Sequence, residues 1–127
     1  FPPASPVVYG AQKGAMTMKV GLIRCLQTED FCPATTDLAM MRQHGGAFEG
    51  IDEDIELIGV STCGGCPGKR AVLRAREMVR RGADTLAFAS CITRGNPIGF
   101  PCPFAKAMIR AVSADVGEDI RILDYTH

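Results

Sequence analysis

The sequence carries no excess charge of either sign: 14 lysines and arginines balance 14 aspartates and glutamates. That balance argues against a nucleic-acid partner, which needs a basic face. No apolar run approaches the ~18 residues that would span a bilayer. The first residues, "FPPASPVVYGAQKGAMT", lack a basic stretch followed by an apolar one, so no secretory signal is expected and a cytoplasmic location follows. Histidine is scarce, at two. No Ser–His–Asp arrangement and no carboxylate pair in motif context is found, so no catalytic residue is assigned.

What the sequence does have is cysteine, six of them in 127 residues. A chain of this length forms one domain with an adequate core. Reducing compartments keep thiols free, so metal binding or thiol redox chemistry is expected ahead of a disulfide scaffold. Residues 1–17 lack periodicity and read as a leader or cloning-derived segment, leaving 18–127 as the domain.

From Met18 the text is regular. "MKVGLIRC" reads as a buried strand, and a helical segment follows at about 36–44, closed by Gly45-Gly46. "IELIGVSTC" reads as a second buried strand and "GKRAVLRAREMVRRG" as a helix with Val72, Ala75, Met78 and Val79 on one face. "DTLAFASC" is a third strand. After the loop "ITRGNPIGFPCP" comes a helix with Phe104, Met108, Ala111 and Val112 at helical spacing, then a fourth strand in "DIRILDYTH". This alternation predicts an α/β fold: a three-layer, flavodoxin-like or Rossmann-like sandwich around a four-stranded parallel sheet. Ligands of such sheets sit outside the carboxyl ends of the strands.

Three predicted strands run into Cys25, Cys63 and Cys91. Cys32, Cys66 and Cys102 lie in the connections that follow the same strands. All six should therefore meet at one sheet edge, with His127 approaching from the fourth strand. Helix N-termini would favour their thiolates, and Gly64-Gly65 would let Cys63 and Cys66 face one centre. Four thiolates suit zinc or a [4Fe–4S] cluster. Cys32-Pro33, Cys66-Pro67 and Cys102-Pro103 repeat a pairing found where ferredoxin-type ligand runs end. The rival is a C-x-x-C dithiol that exchanges electrons at a helix start, for which four further cysteines are superfluous.

Other features are read structurally. "CGGCPGKR" falls short of a phosphate-binding loop, because Cys63 replaces the first glycine and Arg70 the magnesium-binding hydroxyl. The glycines and Lys69 could still accept a small anion. Arg70, Arg74, Arg76, Arg80 and Arg81 read as a solvated helix face, and His44 as a helix-end residue. Phe31, Phe88, Phe100 and Phe104 could shield a cluster, with Phe88 and Phe104 better explained by packing.

"STCGGCPGKR", "ASCITRGNPIGFPCPFAKAM" and the terminal "YTH" resemble the CGGC-domain family, small prokaryotic proteins regarded as metal binders. The resemblance covers 18–127 and implies a cysteine-rich metal-binding role, usually taken as zinc, with no assigned reaction. Against that pattern Phe104 stands where a histidine is expected, which favours an all-thiolate site. The expectation is therefore an iron–sulfur cluster, with zinc as the alternative, held first by Cys63, Cys66, Cys91 and Cys102, then by Cys25 and Cys32, with His127 as a further candidate. Electron transfer, metal or cluster handling, or sensing would follow, with a redox or metal-delivery protein as partner.

Overall fold

A computed structural model describes residues 17–66, 68–95 and 102–127. Four strands form one sheet: β1 (Thr17–Arg24), β2 (Asp54–Thr62), β3 (Thr85–Phe88) and β4 (Arg121–Leu123), in the order β2-β1-β3-β4 with every pair parallel. The helices are α1 (Thr35–Gln43), α2 (Arg70–Arg80), the single turn α3 (Ser90–Thr93) and α4 (Ala105–Val116). This is the flavodoxin-like arrangement that strand–helix alternation requires.

Chain direction across the sheet decides the layers. The step from β1 to β2 runs opposite to the steps from β2 to β3 and β3 to β4, so right-handed crossovers put α1 on one face and α2 with α4 on the other. The two helices of the shared face pack side by side. Arg76 forks onto Asp115 between them, with Nε–Oδ2 at 2.9 Å and Nη2–Oδ1 at 2.7 Å. On α2 itself the Arg80 guanidinium, with Arg81 beside it, holds the Glu77 carboxyl down at about 2.

The central strands are covered on both faces. Val20, Leu22 and Ile23 of β1 and all of β3 are buried, and Ala71, Ala75 and Met78 of α2 and Ala105, Met108 and Val112 of α4 close over them. Burying such a side chain is worth roughly 1.5–3 kcal/mol. Adjacent connections depart to opposite faces between β1 and β3, so the crevice of this fold opens at Cys25 and Ser90.

Several elements differ from the sequence expectation. Thr17, the last residue of the segment set aside, is the first residue of β1; residues 1–16 lie outside the described residues, as do Pro67 and 96–101, which include Phe100. The second strand is not buried: it forms the edge of the sheet, and Leu57 and Val60 are exposed. β3 ends at Phe88, placing Cys91 inside α3 and not at a strand end. β4 ends at Leu123, four residues before His127. Phe104 caps α4 and is partly exposed, Ala111 faces solvent, and Ala105 takes the buried place at that end of the helix.

Candidate functional site

Hydrogen bonds across three chain crossings assemble the cysteine-bearing segments. Cys63 N–H donates to the Arg24 carbonyl at 2.8 Å, extending the pairing of β1 and β2 by one residue. Cys25 N–H donates to the Cys91 sulfur at 3.3 Å, across the crevice between β1 and β3. Cys102 N–H donates to the Ile92 carbonyl at 2.7 Å, drawing the start of α4 onto α3. Cys25, Cys63, Cys91 and Cys102, from three connections, are therefore tied to one edge of the sheet, and all six cysteines are free thiols.

Their environments differ. Cys25, Cys63 and Cys91 are buried, Cys102 is half-buried and Cys66 is exposed. Burial pushes the Cys91 thiol up; the Thr28 hydroxyl and the Cys25 amide at its sulfur pull it back, while charge on Cys25 and Asp37 pushes it further up. Burial also pushes Cys102 up, opposed by a backbone hydrogen bond from Phe104 and reinforced by charge on Cys66, Cys25 and Cys63. The expectation that helix ends would favour thiolates is thus reversed at these two positions. Removing sulfur from water outweighs the donors that reach it.

The turn between Cys63 and Cys66 follows from its glycines. Gly64 has φ +81° and Gly65 φ +104°, conformations closed to most L side chains, and Gly68 N–H closes the turn onto the Gly65 carbonyl at 2.7 Å. The Arg70 side chain lies over Gly64, where an added Cβ would meet the Arg70 Cβ at 2.6 Å. The turn thus carries Cys66 out to solvent while Cys63 stays inside.

Cys32 and His127 are held by other contacts. Cys32 N–H bonds the Thr28 carbonyl at 2.9 Å and its own carbonyl accepts the Arg24 guanidinium, which ties it to the loop after β1. The His127 imidazole faces Asp37, with Nε2 3.7 Å from Oδ1, and its backbone is clasped by the Ser90 hydroxyl through both N–H and carbonyl at 2.9 Å. Asp37, almost wholly buried, also accepts the Thr126 hydroxyl. His44 Nδ1 bonds the Ile51 carbonyl at 2.8 Å, a structural role as expected. Phe88 is core, whereas Phe31 is 72% exposed.

Sequence reasoning missed Thr28 and Asp37, the polar groups that act on Cys91. The spacing of Thr28 three residues after Cys25, across one 3-10 turn at Leu26–Thr28, was the available signal.

Among the described residues, no three His, Cys, Asp or Glu side chains are grouped closely enough to hold a metal ion. The donors suit a thiophilic metal in type, and the connections that carry them leave one edge of the sheet without forming a closed chelate.

No described helix is long and apolar enough to cross a membrane. No solved structure matches the chain at a significant level. It is similar to the uncharacterized protein MJ0582 of Methanocaldococcus jannaschii, 34% identical over 80 residues that make up 58% of this chain and 62% of that protein. It is also similar to the uncharacterized protein MJ0766 of the same organism, 36% identical over 50 residues, 39% of this chain and 71% of that protein. A match to the CGGC domain spans residues 19–127, taking in every cysteine described above. The chain belongs to the CGGC domain family.

Proposed function

We propose that this protein binds a metal through the thiolates at the carboxyl edge of its sheet, and that the bound group is an iron–sulfur cluster in preference to a single zinc ion. The observation that carries the reading is the convergence of Cys25, Cys63, Cys91 and Cys102 through hydrogen bonds that splice three separate connections. A set of clustered, partly buried thiols resists ionisation, because each thiolate is desolvated and repelled by the next. A bound cation removes both penalties.

The preference for a cluster rests on spacing and donor type. Tetrahedral zinc holds its sulfurs only ~3.8 Å apart, from Zn–S bonds of about 2.3 Å. A cluster gives each thiolate its own iron and so bridges a wider frame than one zinc ion, which suits thiolates delivered by three separate connections. The imidazole of His127 is already engaged by Asp37, which leaves sulfur as the donor type on offer. Cys63, Cys66, Cys91 and Cys102 would hold the group, with Cys25 and Cys32 next in line. When bound, an iron–sulfur cluster supplies a one-electron couple. The chain's own part is to donate N–H and O–H to sulfur from Cys25 and Thr28, and to keep water from Cys91. Electron transfer, cluster handling or sensing with a protein partner is the role this supports.

The exposure of Cys66 beside buried Cys63 favours a second reading, a dithiol that exchanges with other thiols. Metal analysis and an absorption spectrum of protein purified without oxygen separate the two. Iron with sulfide and a brown colour support the cluster, colourless protein with zinc supports the alternative metal, and metal-free protein supports the dithiol. Cys91→Ser and Cys102→Ser should abolish metal loading under the first reading and leave Cys63/Cys66 exchange intact under the second.

A further inference from the structure

A cavity of about 470 Å³ opens beside the thiol edge, between the carboxyl ends of β1 and β2 and the first turns of α2. We propose that it binds the phosphate group of a small phosphorylated organic molecule. Three guanidinium groups line it: Arg24 from the end of β1, and Arg70 and Arg74 from successive turns of α2. Among the described residues none of the three has a carboxylate within ion-pair distance, although Arg76, Arg80 and Arg121 all do. Glu29 lines the same cavity and forms no ion pair with them, so the lining holds three positive charges against one negative.

The arginines are held ready for a ligand. Arg74 Nη1 is fixed by the Thr62 hydroxyl at 2.7 Å and the Thr62 carbonyl at 3.2 Å. One end of the Arg24 guanidinium is fixed by the Cys32 carbonyl, while its Nε, shut off from water, has no hydrogen-bond partner. A buried N–H without an acceptor costs roughly 1–3 kcal/mol, a penalty that turning the Arg24 side chain toward an oxyanion in the cavity would relieve.

The shape of the charge selects the ligand. One guanidinium fork satisfies a planar carboxylate in bidentate fashion. Three cations arriving from two elements suit a tetrahedral oxyanion, whose oxygens point in several directions. The cavity far exceeds one phosphate, and Leu26 and Val60 give it an apolar wall. The phosphate should therefore carry an organic body, with Glu29 placed to accept from a hydroxyl or amino group on it. This inference does not need the metal, although both sites share the segment Thr62 to Gly64.

The test is calorimetric titration of the whole protein with inorganic phosphate, phenyl phosphate and benzoate. Phenyl phosphate should bind more tightly than either of the others. Losing one guanidinium contact in Arg24→Gln or Arg70→Gln should weaken it by about tenfold or more. Arg76→Gln, whose side chain is spent on Asp115 outside the cavity, should leave binding unchanged and controls for charge alone. Circular dichroism of each variant shows whether it is folded, and the Arg70 variant stands if the Arg24 variant is not. Absence of saturable phenyl phosphate binding, equal affinity for benzoate, or indifference to both arginine variants would overturn the proposal. So would loss of binding when the protein is stripped of metal, since that would place the phosphate on the metal.

Discussion

Replacing Gly64 with alanine should cost clearly more than the same change at Gly65, for a reason visible in the neighbours. Both glycines have positive φ, +81° and +104°, so either alanine carries a backbone penalty of about 1–2 kcal/mol. At Gly65 the new Cβ would find only Leu26 Cδ2, at an ordinary 3.6 Å. At Gly64 it would meet Arg70 Cβ at 2.6 Å and Cδ at 3.0 Å, and Arg70 begins α2, so the helix start cannot yield cheaply. Overpacking of that kind adds about 1–3 kcal/mol. The totals are therefore about 2–5 kcal/mol for Gly64→Ala and about 1–2 kcal/mol for Gly65→Ala, against a whole-domain stability of roughly 5–15 kcal/mol. Urea unfolding gives both values, and Arg70→Gly completes a double-mutant cycle in which the Gly64–Arg70 coupling should be about 1–3 kcal/mol, the overpacking alone. Equal costs for the two alanines, or a coupling near zero, would refute the packing argument.

Alkylation under native conditions should modify exposed Cys66 first and buried Cys63 and Cys91 last, as read by mass spectrometry of digests; modification of Cys91 ahead of Cys66 would be the contrary result. Burial raises the thiols of Cys91 and Cys102 in the fold above their ordinary value, so the unfolded chain loses those protons first as pH rises. Their contribution is then fully present below the ordinary thiol range near pH ~8.5 and is lost as pH climbs through the folded values. Metal-free protein should accordingly become easier to unfold in urea between neutral and alkaline pH, with a flatter profile in Cys91→Ala. Asp37→Ala takes the carboxylate acceptor from the buried Thr126 hydroxyl, leaving it only Ser90 Oγ at 3.3 Å, and should cost about 1–3 kcal/mol. The same change removes a negative charge near Cys91 and should lower its thiol titration, followed by thiolate absorbance; an unchanged titration would show that Asp37 does not act on it.

The alternation of apolar runs and helical periods carried the parallel sheet, because each element signals locally. Strand order does not: nothing within Asp54–Thr62 says that it will stand at the sheet edge, and its apolar run reads like that of a strand covered on both faces. Cys25 and Cys63 were legible because a strand of fixed direction delivers the next residue to a known edge. Cys91 was placed one element too early, since Ala89 carries the apolar run past the last ladder pair at Phe88 and no turn residue separates it from Ser90 and Cys91. The arginines of α2 looked alike in sequence and separate by helical phase: Arg76 and Arg80 meet carboxylates on one side, while Arg70 and Arg74 turn toward the cavity from another; Arg81, in line with Arg70 and Arg74 but past the end of the helix, meets Glu77. The small-anion reading of "CGGCPGKR" pointed to Lys69, yet that side is supplied by Arg24 from another strand, a contact between residues more than 40 positions apart that no local pattern encodes.

X-ray absorption at the edge of whatever metal the protein carries, when purified without oxygen, tests the thiolate site most directly. The account predicts a nearest shell of sulfur alone at about 2.3 Å, a metal neighbour beyond it if the group is a cluster, and loss of the signal in Cys102→Ser. A shell of nitrogen or oxygen, or a signal unchanged in Cys63→Ser, Cys91→Ser and Cys102→Ser alike, would contradict it.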